Sequence, residues 1–359
     1  MTITTDKYRI DSHKLMFHPQ RVSDWLDGGN IFPIYAEISP SGACNHRCTF
    51  CALDYLEYRP VFLDAALLKS RLTEMGRLGV KSVMFCGEGE PLLHREIDDM
   101  VNHAKEAGID AALTTNGVLL NGELFGKMGE SLSWLKVSIN AGTPETYAAI
   151  HRTKEADFDR VIENMIQAAK IARENDFSCT LGAQLILLPE NAHEVETLAG
   201  IVRDAGLSYL VIKPYSQHLK SLTTTYEHID YEPYLSLADR LNRFNDDDFR
   251  VIFRQNTILK LGQQSRGYDR CLALPFWSHI DSHGNVWGCS AYLGDERFCY
   301  GNIGEQGFAE IWHGSLRRAS LEYVSKCLDV AECRVNCRMD EVNRYLWELV
   351  HPSGHVNFI

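Results

Sequence analysis

Between Ile34 and about Tyr215, short β-rich runs alternate with amphipathic helical runs, and that alternation leaves few folds open to the chain. The segments Tyr35–Ser39, Lys81–Phe85, Ala111–Thr115, Trp134–Ile139, Thr180–Leu188 and Tyr209–Lys213 read as strands. Between them Leu67, Leu68, Leu72 and Met75 recur at helical spacing and stop at Gly79, Ile97, Met100, Val101 and Ala104 stop at Gly108, and Val161, Met165, Ala168 and Ala172 form a third stripe. A fourth helix opens on Asn191 and Glu194, spaced as a capping box, and stops at Gly206. Crossovers that each hold a helix imply parallel, right-handed strand connections. The expected fold class is α/β. Periodicity alone does not choose between a partial barrel and a doubly wound sheet. In both, ligands bind at the C-terminal ends of the strands.

The special residues gather at that end. A cysteine cluster follows the first strand, Gly87-Glu88-Gly89-Glu90-Pro91 the second and Thr115-Asn116-Gly117 the third. Ser138 and Asn140 close the fourth, and Lys213, Tyr215 and Gln217 close the sixth. After Tyr226 the pattern changes to a helical stretch near Tyr234–Phe244, the acidic turn Asp246-Asp247-Asp248, and a Cys-rich segment with hairpin signals at His283-Gly284-Asn285 and Gly301-Asn302. A domain boundary is expected near residues 255–268.

A net charge of −12, with no run of Lys or Arg, makes a poor partner for nucleic acid or an anionic membrane. The start of the chain has no apolar signal region, and apolar stretches such as Leu185–Leu188 are too short to span a bilayer. A cytoplasmic protein is expected. Eleven cysteines in a reducing compartment point to metal ligands or redox groups rather than disulfides.

Cys44, Cys48 and Cys51 have the spacing Cys-x3-Cys-x2-Cys. Three thiolates on one loop hold three irons of a cubane cluster and leave the fourth open. Electron carriers and structural zinc sites want four ligands. The zinc alternative would need His46 as its fourth.

The motif Cys-x3-Cys-x-Phe-Cys, set just after the first of a run of βα units, resembles the radical S-adenosylmethionine (SAM) superfamily. The resemblance covers roughly residues 34–218. It implies a partial (β/α)6, TIM-like barrel and a [4Fe–4S] cluster whose open iron is chelated by SAM. Reductive cleavage of SAM would then yield a 5′-deoxyadenosyl radical that abstracts hydrogen from a substrate. It places Phe50 near the adenine and Gly87, Glu88, Gly89 and Glu90 around the SAM ammonium, which needs acceptors unobstructed by side chains. It also assigns Asn116, Ser138, Asn140 and Arg152 to SAM, Arg152 as a bidentate partner for the carboxylate.

Further on, Cys271-x12-Gly284-x4-Cys289 and Cys327-x5-Cys333-x3-Cys337 resemble the SPASM or twitch extension of the same superfamily, which houses auxiliary Fe–S clusters. Ile280–Cys289, Gly301–Gly304 and Ile311-Trp312 fit it as well. A full SPASM domain has a further cysteine where Val324 stands, and another downstream of Cys337. Five cysteines suffice for one auxiliary cluster, held by Cys271, Cys289 and two of Cys327, Cys333 and Cys337. The implied organisation is an N-terminal extension (1–33), a radical SAM core (34–255), an auxiliary-cluster domain (256–340) and a tail (341–359).

Relatives of this kind modify peptides, mature sulfatases or act on sugars and aminocyclitols. Only about 35 residues precede the first strand, too few for a separate leader-binding fold. The expectation is therefore oxidation or epimerisation of a polar small molecule such as a sugar or aminocyclitol. A peptide or protein maturase is the alternative, and an Fe–S electron carrier the non-enzymatic one. Cys86 and Cys299 are candidate hydrogen donors for an epimerase, and Gln184, Lys213, Tyr215, Gln217 and His218 candidate pocket residues. Family resemblance implies a flavodoxin- or ferredoxin-like reductant.

Overall fold

The computed structural model describes residues 8–263 and 265–358. All six expected strands form: β1 (Tyr35–Ile38), β2 (Ser82–Phe85), β3 (Asp110–Thr115), β4 (Leu132–Ser138), β5 (Thr180–Leu187) and β6 (Tyr209–Pro214). The sequence reading lacks β7 (Arg250–Phe253), a four-residue run that starts on an exposed arginine and has too little alternation to stand out. The Cys-rich segment adds β8 (Trp277–Ile280), β9 (Asn285–Trp287) and β10 (Cys299–Asn302).

These strands make one ten-stranded sheet in the order β10-β9-β8-β1-β2-β3-β4-β5-β6-β7. β1 to β7 are parallel and sequential, as βα crossovers require. The sheet does not close on itself. The free side of β1 takes β8 in parallel, Tyr35 opposite Trp277 and Ile38 opposite Ile280, and β9 and β10 continue antiparallel. The C-terminal hairpin is thus an extension of the core sheet.

Strand alternation sorts the two faces. One carries Ala36, Ile38, Val83, Phe85, Leu113, Val137, Ala183, Leu185 and Ile212, all in one buried cluster with the helical stripes. Leu68, Leu72 and Met75 come from the helix Ala65–Arg77, Ile97, Met100, Val101 and Ala104 from Ile97–Glu106, and Val161, Met165 and Ala168 from Ala156–Glu174. Each large apolar side chain buried there stabilises the fold by roughly 1.5–3 kcal/mol. The opposite face has a split floor of Tyr35, Met84, Cys86, Ala112 and Trp134 on one side and Tyr209, Val211, Ile252, Tyr8 and Ile10 on the other. Gly182 lets the Tyr209 ring cross β5, since a Cβ there would lie 2.2 Å from the ring.

Asn191 and Glu194 do not form a capping box. Asn191 Nδ2 donates to the carbonyls of Asn140 and Ile186, both at 2.9 Å. Glu194 accepts from Gly142 N at 2.7 Å, Thr143 Oγ1 at 2.8 Å and Thr146 Oγ1 at 2.6 Å. Both side chains satisfy buried groups of the β4 loop and of the end of β5 instead of their own helix, a demand local spacing does not reveal. Elsewhere, Leu15, Val22, Ile31 and Ile34 pack with Phe276 and with Leu346 of the helix Asp340–Val350, so both terminal segments lean on the start of β8.

The β8–β9 turn is organised by buried Asp281. Its Oδ1 accepts from His283 N and Asn285 N, both at 2.9 Å, and its Oδ2 from Asn285 Nδ2 at 2.9 Å and Trp287 Nε1 at 2.7 Å. Asp281→Ala strands the buried indole N–H and is expected to cost roughly 3 kcal/mol in denaturant unfolding, while Asp281→Asn retains a substantial part of that stability.

Candidate active site

The cysteine loop leaves β1 at Ser39 and is pinned at its neck by Gly42 N to Val61 O at 2.8 Å and Leu63 N to Pro40 O at 3.0 Å. It sits on the end of the helix Pro144–His151 through Arg47 N to His151 O at 3.1 Å and Thr49 N to Ile150 O at 2.8 Å. Cys44, Cys48 and Cys51 are free, half-buried thiols within electrostatic reach of one another. Burial pushes Cys44 up to about 11 and Cys48 well above the usual thiol range, and the neighbouring cysteines add to both. Three buried thiolates this close are costly unless a cationic group takes up their charge, and a three-coordinated iron–sulfur cluster does so.

His151, unremarked in the sequence, touches this site directly. Burial, with a smaller push from His46, keeps its imidazole neutral. Nε2 lies 3.3 Å from the backbone N–H of Asn140 and accepts from it, so the proton belongs on Nδ1, 3.2 Å from Cys48 Sγ. Phe50 packs edge-on against the His151 ring at 5.9 Å. Tyr58 is a second unread contact, hydrogen-bonded to Cys51. A zinc arrangement centred on His46 draws in the wrong partners: the donor atoms of His46, Cys48 and His151 lie within 4.8 Å of one another, a group that includes only Cys48 of the three loop cysteines.

The Gly-Glu-Gly-Glu element lies against this loop because its glycines allow it. Gly87 has φ +110°, and a Cβ on it would meet Ser39 Oγ at 1.8 Å; one on Gly89 would meet the Ala43 carbonyl at 2.0 Å. Glu90 is a brace. Its carboxylate accepts from Thr115 Oγ1 at 2.5 Å, Leu92 N at 3.0 Å and Asn116 N at 2.8 Å, and its own N–H donates to Ala43 O. Glu88 accepts from Ser282 N of the β8–β9 turn at 2.8 Å through Oε2, keeping Oε1 outside that bond. Asn116 Nδ2 donates to Asn45 Oδ1 at 2.6 Å. Asn140 is fully buried, bonded to Ser138 Oγ and accepting from Ile186 N at 2.7 Å. Arg152 is exposed at the left-handed end of its helix, within electrostatic reach of Tyr226.

In the C-terminal region the thiols of Cys271, Cys289, Cys333 and Cys337 influence one another, and burial raises those of Cys271, Cys289 and Cys337, the last to about 12. Cys327 is exposed at the end of the helix Ser315–Lys326, with Lys326 as its electrostatic neighbour. These four thiols are the ones that neighbour each other, whereas Cys327 stands apart in solvent, and four is the number that one cluster takes. Tyr55 stacks on buried His218 at 5.4 Å and lies within electrostatic reach of Glu88 and Cys289.

The candidate pocket residues separate. Gln184 and Lys213 share the inward sheet face, with Lys213 Nζ 3.3 Å from Gln184 Oε1. Tyr215 turns into the loop after β6, where its hydroxyl donates to Gln217 Oε1, and Gln217 Nε2 donates to Thr223 O. Cys86 faces inward beside Met84 and Ala112, whereas Cys299 lies on β10 at the outer edge of the sheet. Lys136 on β4 escaped the sequence reading although it stands two residues before Ser138, on the same face. The stretch from Cys333 to Arg338 ties the two ends of the core together: Arg334 donates to Ser216 O, Asn336 Nδ2 to Thr257 O, and Arg338 Nε pairs with Glu37 Oε1 at 2.6 Å.

A family model described as the radical SAM superfamily matches residues 38–201, and one described as an iron–sulfur cluster-binding domain (SPASM) matches residues 271–338. Curated relatives include the GTP 3′,8-cyclase of Chlorobaculum tepidum, 28% identical over 188 residues, or 51% of this chain and 55% of that one. The GTP 3′,8-cyclase of Limosilactobacillus fermentum is 31% identical over 142 residues, 38% of this chain and 42% of that one. The chain spans about half the length of the first of these relatives and less of the second. Among solved structures, Streptococcus suis SuiB bound to S-adenosylmethionine aligns with a TM-score of 0.61 at 20% identity, over 84% of this chain and 70% of SuiB. The protein anSMEcpe with bound AdoMet aligns with a TM-score of 0.59 at 20% identity, over 87% of this chain and 88% of the other. At such identities the likeness is one of fold. No described helix is long and apolar enough to cross a membrane.

Anaerobic reconstitution should give about eight irons per chain, about four in a Cys44/Cys48/Cys51→Ala triple variant and about four in Cys337→Ala, with no loss in Cys327→Ala. Iron and sulfide assays decide it. In His151→Phe the loss of an N–H···S bond should lower the midpoint potential of the N-terminal cluster at unchanged iron content, read by EPR-monitored redox titration.

Proposed function

Since the chain belongs to the radical SAM superfamily and carries a SPASM iron–sulfur domain behind its core, we propose that it is a maturase, acting on a peptide or protein segment delivered to the inward face of the sheet. One observation carries this reading. The solved proteins whose fold runs through both regions of this chain include SuiB bound to precursor peptide SuiA, at a TM-score of 0.62, and anSMEcpe with bound AdoMet and Cp18Cys peptide, at 0.59. A sugar or aminocyclitol substrate draws no comparable support. The GTP 3′,8-cyclases align over part of their length, so their substrate is not carried across.

In this reading the open, sequential sheet is the partial barrel. Cys44, Cys48 and Cys51 would hold a [4Fe–4S] cluster, and Cys271, Cys289, Cys333 and Cys337 an auxiliary one. When bound, the N-terminal cluster and SAM supply reductive sulfonium cleavage and hydrogen abstraction. The chain's own residues orient that chemistry. The glycine-rich element, with Glu88, would receive the SAM ammonium, while Glu90 holds the ends of β2 and β3 against the cysteine loop. His151 donates to Cys48 and, with Phe50, walls off the loop from the helix side. The Cys333–Arg338 stretch covers the open side of the sheet and excludes water from the radical site. Cys86, facing inward as a protonated thiol, is placed to return a hydrogen atom, whereas Cys299 is too far out along the sheet. The reductant is a flavodoxin- or ferredoxin-like protein.

With dithionite and SAM, the reconstituted enzyme should form 5′-deoxyadenosine, and the Cys44/Cys48/Cys51→Ala variant none. Short peptides encoded beside the gene should accelerate turnover and change in mass. Acceleration by a free sugar or aminocyclitol, with every such peptide inert, would replace the maturase reading.

A further inference from the structure

The inward face of the sheet carries more positive charge than the fold uses. Lys136 on β4 and Lys213 on β6 project from it, and Arg254, Arg334 and Arg338 reach toward the same space, since all of them act electrostatically on Lys213. Among the described residues, two carboxylates pair with these five cations, and both are taken. Asp11 pairs with Arg254 at 3.0 Å and Glu37 with Arg338 at 2.6 Å. Arg334 is occupied by the Ser216 carbonyl. Among the described residues, Lys136 has no ion pair: its ammonium sits 5.1 Å over the Trp134 ring. Lys213 has only the neutral Gln184 amide oxygen. Neither lysine is sealed in, because both keep part of their surface open to solvent.

We propose that Lys136 and Lys213 form an oxyanion subsite for the substrate, taking a carboxylate or phosphate group that anchors the molecule beneath the site of hydrogen abstraction. This rests on the maturase reading for its choice between the two: in a peptide the group is the carboxylate of an acidic side chain. Two ammonium groups held in a largely desolvated space repel each other and gain from an anion placed between them. Burial first, and the neighbouring cations second, lower both lysines, Lys136 to about 8, so an anion bound beside them would restore their charged form. Cys86, which is outside both ligand sets, is the cysteine beside Lys136. Arg334, by contrast, has Cys337 as an electrostatic neighbour and serves the auxiliary site.

The test uses reconstituted enzyme loaded with SAM, titrated by calorimetry at low salt with N-acetylglutamate α-amide, its glutamine counterpart and GTP, each to tens of millimolar. The glutamate probe should bind roughly tenfold to hundredfold more tightly than the glutamine probe. Lys136→Met and Lys213→Met should each remove most of that preference, and Lys213→Arg should restore part of it, all at unchanged iron content and SAM affinity. Lysine-dependent binding of GTP with no response to glutamate supports the subsite and overturns the peptide reading. No saturable binding of either anion, or binding indifferent to both lysines, overturns the subsite and leaves the maturase reading untouched. A loss of SAM affinity in the lysine variants also overturns it, because the lysines then serve the SAM carboxylate.

Discussion

A parallel ladder between β1 and β8 joins two stretches of chain far apart in sequence, and the spacing of the two thiol clusters depends on it. Four residues on each strand are in register, from Tyr35 opposite Trp277 to Ile38 opposite Ile280. Polar contacts between the same partners secure the pairing where the chemistry lies. Ser39 Oγ bonds His279 Nε2 at 3.0 Å, and Glu88 takes the Ser282 N–H. Glu37, buried, gathers Arg338, Tyr35 and His279 around one carboxylate. Positive neighbours and these hydrogen bonds hold Glu37 below the usual carboxylate range despite its burial. A charge buried with so many partners is specific to one arrangement of the chain, because any other leaves it unpaired.

The cysteine loop depends on a second set of constraints, and they come from backbone approach more than side-chain chemistry. Gly87 and Gly89 bring the end of β2 into contact with Ser39 and Ala43. The bond from Glu90 N to Ala43 O then links that strand to the residue beside Cys44. Asn116 completes the circuit through Asn45. The thiol positions therefore follow from three strand ends rather than from the loop itself, which is why a loop this rich in polar residues holds one geometry.

Much of this was legible in the sequence, and the rest was hidden for identifiable reasons. Strands β1 to β6 and their helices followed from periodicity, which is local. The three loop cysteines followed from their spacing on one loop, and the glycine-rich element after β2 from the family resemblance. The parallel joining of β8 to β1 did not, because pairing between distant segments leaves no local mark. Asn191 and Glu194 matched a helix-capping pattern yet answer to the β4 loop, where buried donors outweigh a local preference. Cys327 looked equivalent to Cys333 and Cys337 until the helix Ser315–Lys326 set it in solvent. Lys136 was within reach of the sequence: strand alternation puts it on the face of Ser138, and only attention to the far end of β4 was missing.

Because one sheet runs beneath both thiol clusters, the path between them is spanned by paired backbone and contains no hinge. Separating the two centres would mean tearing a four-residue ladder and uncovering Glu37. The distance between the two thiol sets is therefore fixed by paired backbone rather than by side-chain contacts alone. The Cys333–Arg338 stretch belongs to the same frame: it carries Cys333 and Cys337 and is tied to the core through Arg334, Asn336 and Arg338, so the second thiol set is clamped from the side the sheet does not reach.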